Sequence, residues 1–384
     1  MNKEYNNSIA YFNILRFIGA ISISVLFHYN DHFLKNLYLT NQIESGSIWE
    51  FLAQYGFIFV EMFFIISGIL FSFYYFKKIN NGMNLKDFLI NRVIRIYPVL
   101  IITTIFMYFA NYVLYSTGCR LWSDGTLNIW ELLSDMIFAG KSFFNAGNTL
   151  NGPIWYINVL MFCYILAFYL SKISIKKKSI IVFIIPILIG IMIKYASLDF
   201  LILNTRVARG LIAFFVGIVL GEALKKYDGI SKENKTVIKT ALAIVTIISI
   251  FVLTFKDRYM YVGDETFFYS FIFFPALITL LYDTKWLNKI CSTKFVKYLG
   301  NISYGIYMWN FPILITFHIL NVFNIVQMQV LTWEFIGILF VTHMVVATLS
   351  YFFLEKGWAD LLKEIIEKKR KIKEIPEKTN IEIE

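Results

Sequence analysis

Ten apolar runs, at about 9–28, 51–76, 97–116, 153–171, 179–195, 207–224, 237–255, 266–283, 301–323 and 333–354, dominate this sequence. Runs of this length cross a bilayer, or nearly cross it, as helices, because hydrocarbon offers no hydrogen bonds and only a helix satisfies its own backbone. A soluble domain could not hide them. Apolar residues make up 58% of the chain and charged residues only 16%, too few to cover a water-facing surface. The expected fold class is therefore an all-α polytopic membrane protein with about ten transmembrane helices. The 179–207 region, interrupted by Pro186 and Lys194, is the least regular.

The net charge of +10 takes its meaning from where the cations fall. Of 36 Lys and Arg, 27 lie at the N-terminus, in the tail after 355 and in the loops at 77–95, 172–178, 225–239 and 285–297. Eight lie in the alternate loops, and Arg16 lies inside an apolar run. Such asymmetry places both termini in the cytoplasm and makes nucleic acid an unneeded partner. A membrane domain over 1–355 and a charged cytoplasmic tail over 356–384 follow. Within the tail, Leu361 to Lys373 alternates apolar and charged residues, as a helix on the inner leaflet would. The first run lacks the small-residue cleavage site of a secretory signal. Cys119, Cys163 and Cys291 fall in three different segments and suggest no disulfide framework. The longest outer loop, about 117–152, carries Asp124, Glu131 and Asp135 and reads as a cover or recognition element.

Polar groups inside the runs are the candidates for function, since a bilayer tolerates them only against a polar interior. The first run carries Arg16 and, twelve residues later, His28, which a helix would separate by roughly 18 Å. That distance resembles the reach of a pantetheine arm, with a cation for phosphate at one end and chemistry at the other. Arg16 could equally be a structural cation, and His28, beside Tyr29 and His32, an interfacial anchor. Glu61 in the second run lies at a depth comparable to His28, where a carboxylate would orient an imidazole acting as a base; pairing with a structural cation is the alternative. Arg92 and Arg95, spaced by three at the inner end of the third run, form a cationic pair suited to phosphate or simply hold a loop inside. Arg206 and Arg209 share that spacing at an outer end, where they meet a partner or a carboxylate of the protein itself. Gly217 and Gly221 fit a close helix contact. No GxSxG, phosphate loop, HExxH or CxxC pair occurs, and His28, His32, His318 and His343 lack metal-ligand spacing, so no metal site is expected.

In order along the chain, Leu15-Arg16 with His28, then Glu61 before Phe63-Phe64 and Ser67-Gly68, then Arg92, Arg95, Tyr97 and Pro98, then Gly152-Pro153-Ile154-Trp155, then Ser303, Tyr304, Tyr307 and Trp309 resemble the motifs of the membrane acyltransferase-3 family. Members of that family O-acylate glycans and related acceptors across the bacterial membrane. The resemblance covers nearly the whole chain, and five ordered motifs are far more specific than any one. Three departures stand out. Eleven residues rather than ten separate Arg16 from His28, turning the two about 120° apart on an ideal helix where ten would give about 20°; a π-bulge between them would absorb the extra residue. The carboxylate that follows Trp in many members is absent from Trp155-Tyr-Ile-Asn-Val-Leu160, with Asn158 the nearest polar substitute. Asn310 stands where the family often has histidine.

The resemblance implies a transmembrane O-acyltransferase in the cell membrane, its acyltransferase domain spanning 1–355, moving an acetyl group from cytoplasmic acetyl-CoA to a hydroxyl of an extracytoplasmic or lipid-linked glycan. It implies His28 and Glu61 as catalytic residues and Arg16, Arg92 and Arg95 as acyl-CoA ligands. Ser67, Trp155, Asn158 and Tyr304 are candidate substrate contacts, and membrane lipid is the surrounding partner. The alternative is a transporter or flippase of a glycan or organic anion, built on the same buried cations. Acceptor and oligomeric state stay open at this point.

Overall fold

The computed structural model describes residues 8–29, 52–53, 55–119, 127–138, 149–259, 265–326, 333–358, 360–362 and 364. Among these, every regular element is helical, and the single β-bridge, Phe200 with Leu203, is isolated. The helices are α1 (Phe12–Ile21, continuing as a π-helical turn over Ser22–Phe27), α2 (Phe59–Asn80), α3 (Leu85–Ser116), α4 (Ile129–Met136), α5 (Ile154–Lys177), α6 (Ile184–Tyr195), α7 (Thr205–Tyr227), α8 (Lys232–Tyr259), α9 (Glu265–Phe268), α10 (Phe274–Leu281), α11 (Lys285–Cys291), α12 (Lys294–Met308), α13 (Asn310–Val322) and α14 (Trp333–Ser350). A second π-helical turn, Tyr269–Phe273, joins α9 to α10, and a third, Tyr351–Lys356, extends α14.

Among the described residues six helices are long and apolar enough to cross a membrane, and a seventh is counted if α12 and α13 are taken as one broken span. Three further apolar helices, Phe12–Phe27, Ile181–Tyr195 and Phe268–Leu281, have only 10–17 residues each, short of the ~20 needed for a full crossing. The ten apolar runs therefore all carry helices, but the expected uniform set of ten full spans becomes long, broken and short members. The run at 301–323 is not one helix. It bends by 54° at Trp309, where Pro312 lacks the N–H that would bond back to the Met308 carbonyl and its ring crowds that turn. The loop expected at 77–95 is mostly helix: α2 runs to Asn80, and α3 starts at Leu85, capped by Asn84, whose side chain accepts from Asp87 N at 2.8 Å. At 32 residues, or about 48 Å, α3 outreaches a ~30 Å hydrocarbon layer, so Arg92 and Arg95 sit on its protruding first turns.

Glycine sets the central packing. A Cβ on Gly68 would collide with the Phe214 carbonyl, and one on Gly217 with the Ile65 carbonyl, so α2 and α7 meet backbone to backbone. The Gly217 and Gly221 spacing thus makes the expected close contact. Around this pair, α5 and α6 flank α7, α1 lies between α2 and α12, α14 covers α12, and α13 rests on α3. Phe64, Phe71, Phe88, Phe168, Phe214 and Phe215 fill the buried interior. Ile244, Ile247 and Ile248 on α8 are exposed instead, as a lipid-facing surface requires. Glu131 and Asp135 of the 117–152 loop fall on α4, where Asp135 accepts from Leu150 N at 2.8 Å; Asp124, His32 and most of the expected tail helix at 361–373 lie outside the described residues.

Candidate active site

One end of the bundle, the end that carries the basic segments, holds a cavity of about 900 Å³. Six cations line it: Arg16 from α1, Lys77 and Lys78 from the end of α2, Arg92 and Arg95 from α3, and Lys297 from α12. The structure thus brings together the three arginines singled out in the sequence and adds three lysines that read there only as loop charge. None of the six forms an ion pair with a described carboxylate. Arg16 donates from Nε to the Phe12 carbonyl at 3.3 Å and from its guanidinium to Asn13 Oδ1 at 2.8 Å. Arg92 lies between two phenol rings, 4.5 Å from the centroid of Tyr75 and 4.7 Å from that of Tyr164, with its Nε buried and unbonded among the described residues. Aromatic faces hold a guanidinium in place without neutralising it. Six cations around one cavity, with the buried Glu355 carboxylate close enough to act on Arg95 alone among them, leave a net positive charge suited to a polyanion.

From this cavity α1 leads toward His28, and the π-helical turn Ser22–Phe27 lies between Arg16 and His28. A π-bulge carries one residue more per turn than an α-helix, so the eleven intervening residues turn the chain as ten would, and the pair moves from about 120° apart to about 20°. The π-helical turn thus lies where it absorbs the extra residue. Neighbours hold the bulge: Ser24 Oγ donates to the Ile306 carbonyl at 3.3 Å, and Gly56 leaves room for Phe27 and the Ser22 carbonyl, which a Cβ there would approach to 2.6 and 2.8 Å.

His28 is half-buried, at the end of the bulge. Its Nδ1 contacts the Asn310 side-chain amide, and the other end of that amide lies 3.4 Å from His343 Nε2. His343, from α14, donates from Nδ1 to the Leu339 carbonyl at 2.7 Å. Asn310 is presented there by the bend at Trp309, since it is the first residue of α13. Phe311 packs edge-on against the imidazole at 5.0 Å between centroids. The Phe311 ring in turn occupies the space over Gly152, where a Cβ would collide with it. Asn151 Nδ2 donates to the Met308 carbonyl at 3.0 Å, tying the start of α5 to the bend. The Gly152-Pro153 turn therefore supports the imidazole through Phe311.

Glu61 is placed elsewhere than expected. The sequence set it beside His28 as the orienting carboxylate; the structure pairs it with Arg209 of α7, Nε to Oε1 at 2.5 Å and the guanidinium NH2 to Oε2 at 2.9 Å. Glu61 is 1% exposed, and no hydrogen bond joins it to His28. The reason is the close crossing of α2 and α7, which stacks Glu61 and Arg209 at the same level. Arg209 also donates to the Phe57 carbonyl at 3.4 Å and lies 5.1 Å over the Trp155 ring. Phe57, packed on Phe27 at 5.5 Å, is the bridge from this ion pair to His28. Of the remaining candidates, Ser67 lies on α2, one residue before the Gly68 contact with α7, Asn158 is fully buried one turn along α5 from Trp155, and Tyr304 donates to the Ile96 carbonyl at 2.8 Å. Tyr304 thus belongs to the cationic end and not to the surroundings of His28.

Sequence reasoning passed over Lys77, Lys78, Lys297 and His343. The lysines carry no local signal separating them from other inside charges. His343 did carry one, a titratable group in the middle of an apolar run, the same signal that marked His28.

A family model described as an acyltransferase domain, Acyl_transf_3, matches residues 9–352. Comparison with curated proteins and with solved structures returned no match. Among the described residues no cluster of His, Cys, Asp and Glu could hold a metal ion.

Proposed function

This chain belongs to the membrane acyltransferase-3 family, and from that premise we propose that it transfers an acetyl group from cytoplasmic acetyl-CoA to a hydroxyl of an extracytoplasmic or lipid-linked glycan in the cell membrane. In this reading the three short apolar helices complete ten crossings, and the basic segments hold both termini and the cavity mouth inside. The observation that carries it is the six-cation cavity at the foot of α1, the helix that bears His28 roughly 18 Å further along.

Acyl-CoA combines a phosphate-rich nucleotide with a thin arm ending in a thioester. Arg16, Lys77, Lys78, Arg92, Arg95 and Lys297 would hold the phosphates, matching several negative charges with fixed cations in a partly desolvated site. The arm would lie along α1, and the thioester would reach His28. His28 takes the proton of the acceptor hydroxyl as its oxygen attacks the thioester carbonyl. The Glu61–Arg209 pair holds α2, α7 and Phe57, and thereby the wall against which the imidazole rests. Trp155, under the Arg209 guanidinium, and Asn158, one turn along α5, are the proposed substrate contacts, together with Ser67.

The test is consumption of acetyl-CoA by the purified protein in lipid nanodiscs, read as free CoA thiol, together with mass spectrometry of envelope glycans from cells with and without the protein. A lost acetyl mass and acceptor-dependent thiol release are expected. His28→Ala, inserted and folded as the parent, abolishes both; full activity in that variant refutes the scheme, and glycan or anion movement without thiol release would mark a transporter.

A further inference from the structure

We propose that Asn310 and His343 are positioning residues that set the tautomer of His28. The argument rests on the reading above, in which His28 accepts a proton. It starts at the far end of the chain of contacts. The Leu339 carbonyl can only accept, so His343 Nδ1, 2.7 Å away, carries a proton. His343 is fully buried, and no described carboxylate contacts it. A second proton on Nε2 would strand a whole charge in an apolar interior without a counterion. Nε2 therefore holds a lone pair and requires a donor, and the group facing it is the Asn310 side chain. Asn310 can supply one only by turning its amide nitrogen toward His343.

The nitrogen and oxygen ends of an amide have nearly the same shape, so hydrogen bonds decide which way it points. As placed, the amide nitrogen faces His28 Nδ1 and the oxygen faces His343 Nε2; exchanging the two ends sets the nitrogen on His343 and the oxygen against His28 Nδ1. An oxygen there is satisfied only when Nδ1 carries the proton, which puts the lone pair of His28 on Nε2. The opposite amide orientation would protonate Nε2 and leave no base on that atom. Phe311, wedged over Gly152, keeps the ring from exchanging its two nitrogens by rotation. The sequence thus replaces an orienting carboxylate by an amide whose own orientation is fixed by a second histidine. In the transfer step, the hydroxyl proton moves to His28 Nε2 as the hydroxyl oxygen bonds to the thioester carbon. The C–S bond then breaks, and the same proton goes to the departing thiolate, leaving an ester and free CoA thiol.

The experiment measures kcat and KM for acetyl-CoA, by thiol release in nanodiscs with an envelope glycan extract as acceptor. Asn310→Leu and His343→Phe are each expected to lower kcat at least about 100-fold while KM for acetyl-CoA stays within about 2-fold, since the cation cavity is untouched. Asn310→Asp, which accepts the Nδ1 proton whichever way it points, stays within about 10-fold of the parent, and Asn310→Asp placed in His343→Phe restores at least about 10-fold of the lost rate. Comparing that double variant with Asn310→Leu/His343→Phe holds the loss of His343 constant, and any folding cost of the buried carboxylate in Asn310→Asp works against the expected rescue. Parental turnover in His343→Phe, or equal rates in the two double variants, overturns the proposal. Absence of thiol release by the parent protein counts against acyl transfer itself, whereas parental turnover with no dependence on this pair counts only against the relay.

Discussion

Removing the Arg209 guanidinium is the most informative perturbation of the fold, because it separates the stability of the central helix pair from the chemistry at His28. Arg209 makes two charge-assisted bonds to Glu61, at 2.5 and 2.9 Å. Each such bond contributes about 1.5–3 kcal/mol, and Glu61, at 1% exposed, has no water to turn to. Arg209→Met therefore leaves a buried, unpaired carboxylate and is expected to destabilise the protein by about 3–5 kcal/mol. Glu61→Gln keeps the shape and one acceptor and costs less. Glu61→Leu/Arg209→Met removes both charges and recovers most of the loss, since a pair of apolar side chains of similar volume needs no counterion. The assay is the thermal unfolding midpoint of these three variants, of Glu61→Leu and of the parent in one detergent, with the coupling taken from the cycle of parent, Glu61→Leu, Arg209→Met and their double variant. Equal midpoints for Arg209→Met and the parent, or a double variant no more stable than Arg209→Met, would refute the argument that this pair stabilises α2 against α7.

Gly217→Ala pushes a Cβ into the Ile65 backbone, which cannot move like a side chain; a loss of about 1–3 kcal/mol is expected, and an unchanged unfolding midpoint would show that the helices are not in backbone contact. Gly152→Ala displaces the Phe311 ring that rests on His28; turnover should fall about 10-fold or more with unchanged KM for acetyl-CoA, and an unaltered kcat would remove Phe311 from the support of the imidazole. Arg92→Gln should raise KM for acetyl-CoA about 10-fold with little change in kcat, and the effect should shrink at high salt; a pure kcat defect would place Arg92 outside the donor site. Cys291 is buried in α11, and burial raises its thiol pKa, so less thiolate is present at pH 8; alkylation there should lag behind the half-buried Cys119, and faster labelling of Cys291 would mean that α11 is not seated.

Much of this arrangement was legible in the sequence, for specific reasons. Apolar length alone marked every segment that carries a main helix, because hydrocarbon constrains each segment separately. A π-bulge was one way to absorb the extra residue between Arg16 and His28, and a π-helical turn does lie at Ser22–Phe27. The bend at Trp309 was missed although Pro312 stood in the run, since a proline in a membrane helix kinks or is absorbed according to what neighbouring helices offer. Arg209 was seen as a cation needing either an outside partner or an internal carboxylate, and Glu61 as a carboxylate needing either His28 or a cation. Each reading was sound locally, and only the α2–α7 crossing chose between them. Lys77, Lys78 and Lys297 could not be told from other inside charges until α2, α3 and α12 converged on one cavity.

The sequence by itself determined that this chain is a helical membrane protein, which residues hydrocarbon would not tolerate unpaired, and, through five ordered motifs, its family. These are properties of one helix or one short segment, set by hydropathy, helical periodicity and spacing. The tertiary structure decided the partners: Glu61 with Arg209, 148 positions away, and His28 with Asn310, 282 positions away. Such pairs depend on how far each helix is rotated about its axis and how closely two helices approach, and a missing Cβ at Gly68, a bulge after Ile21 or a bend at Trp309 changes both.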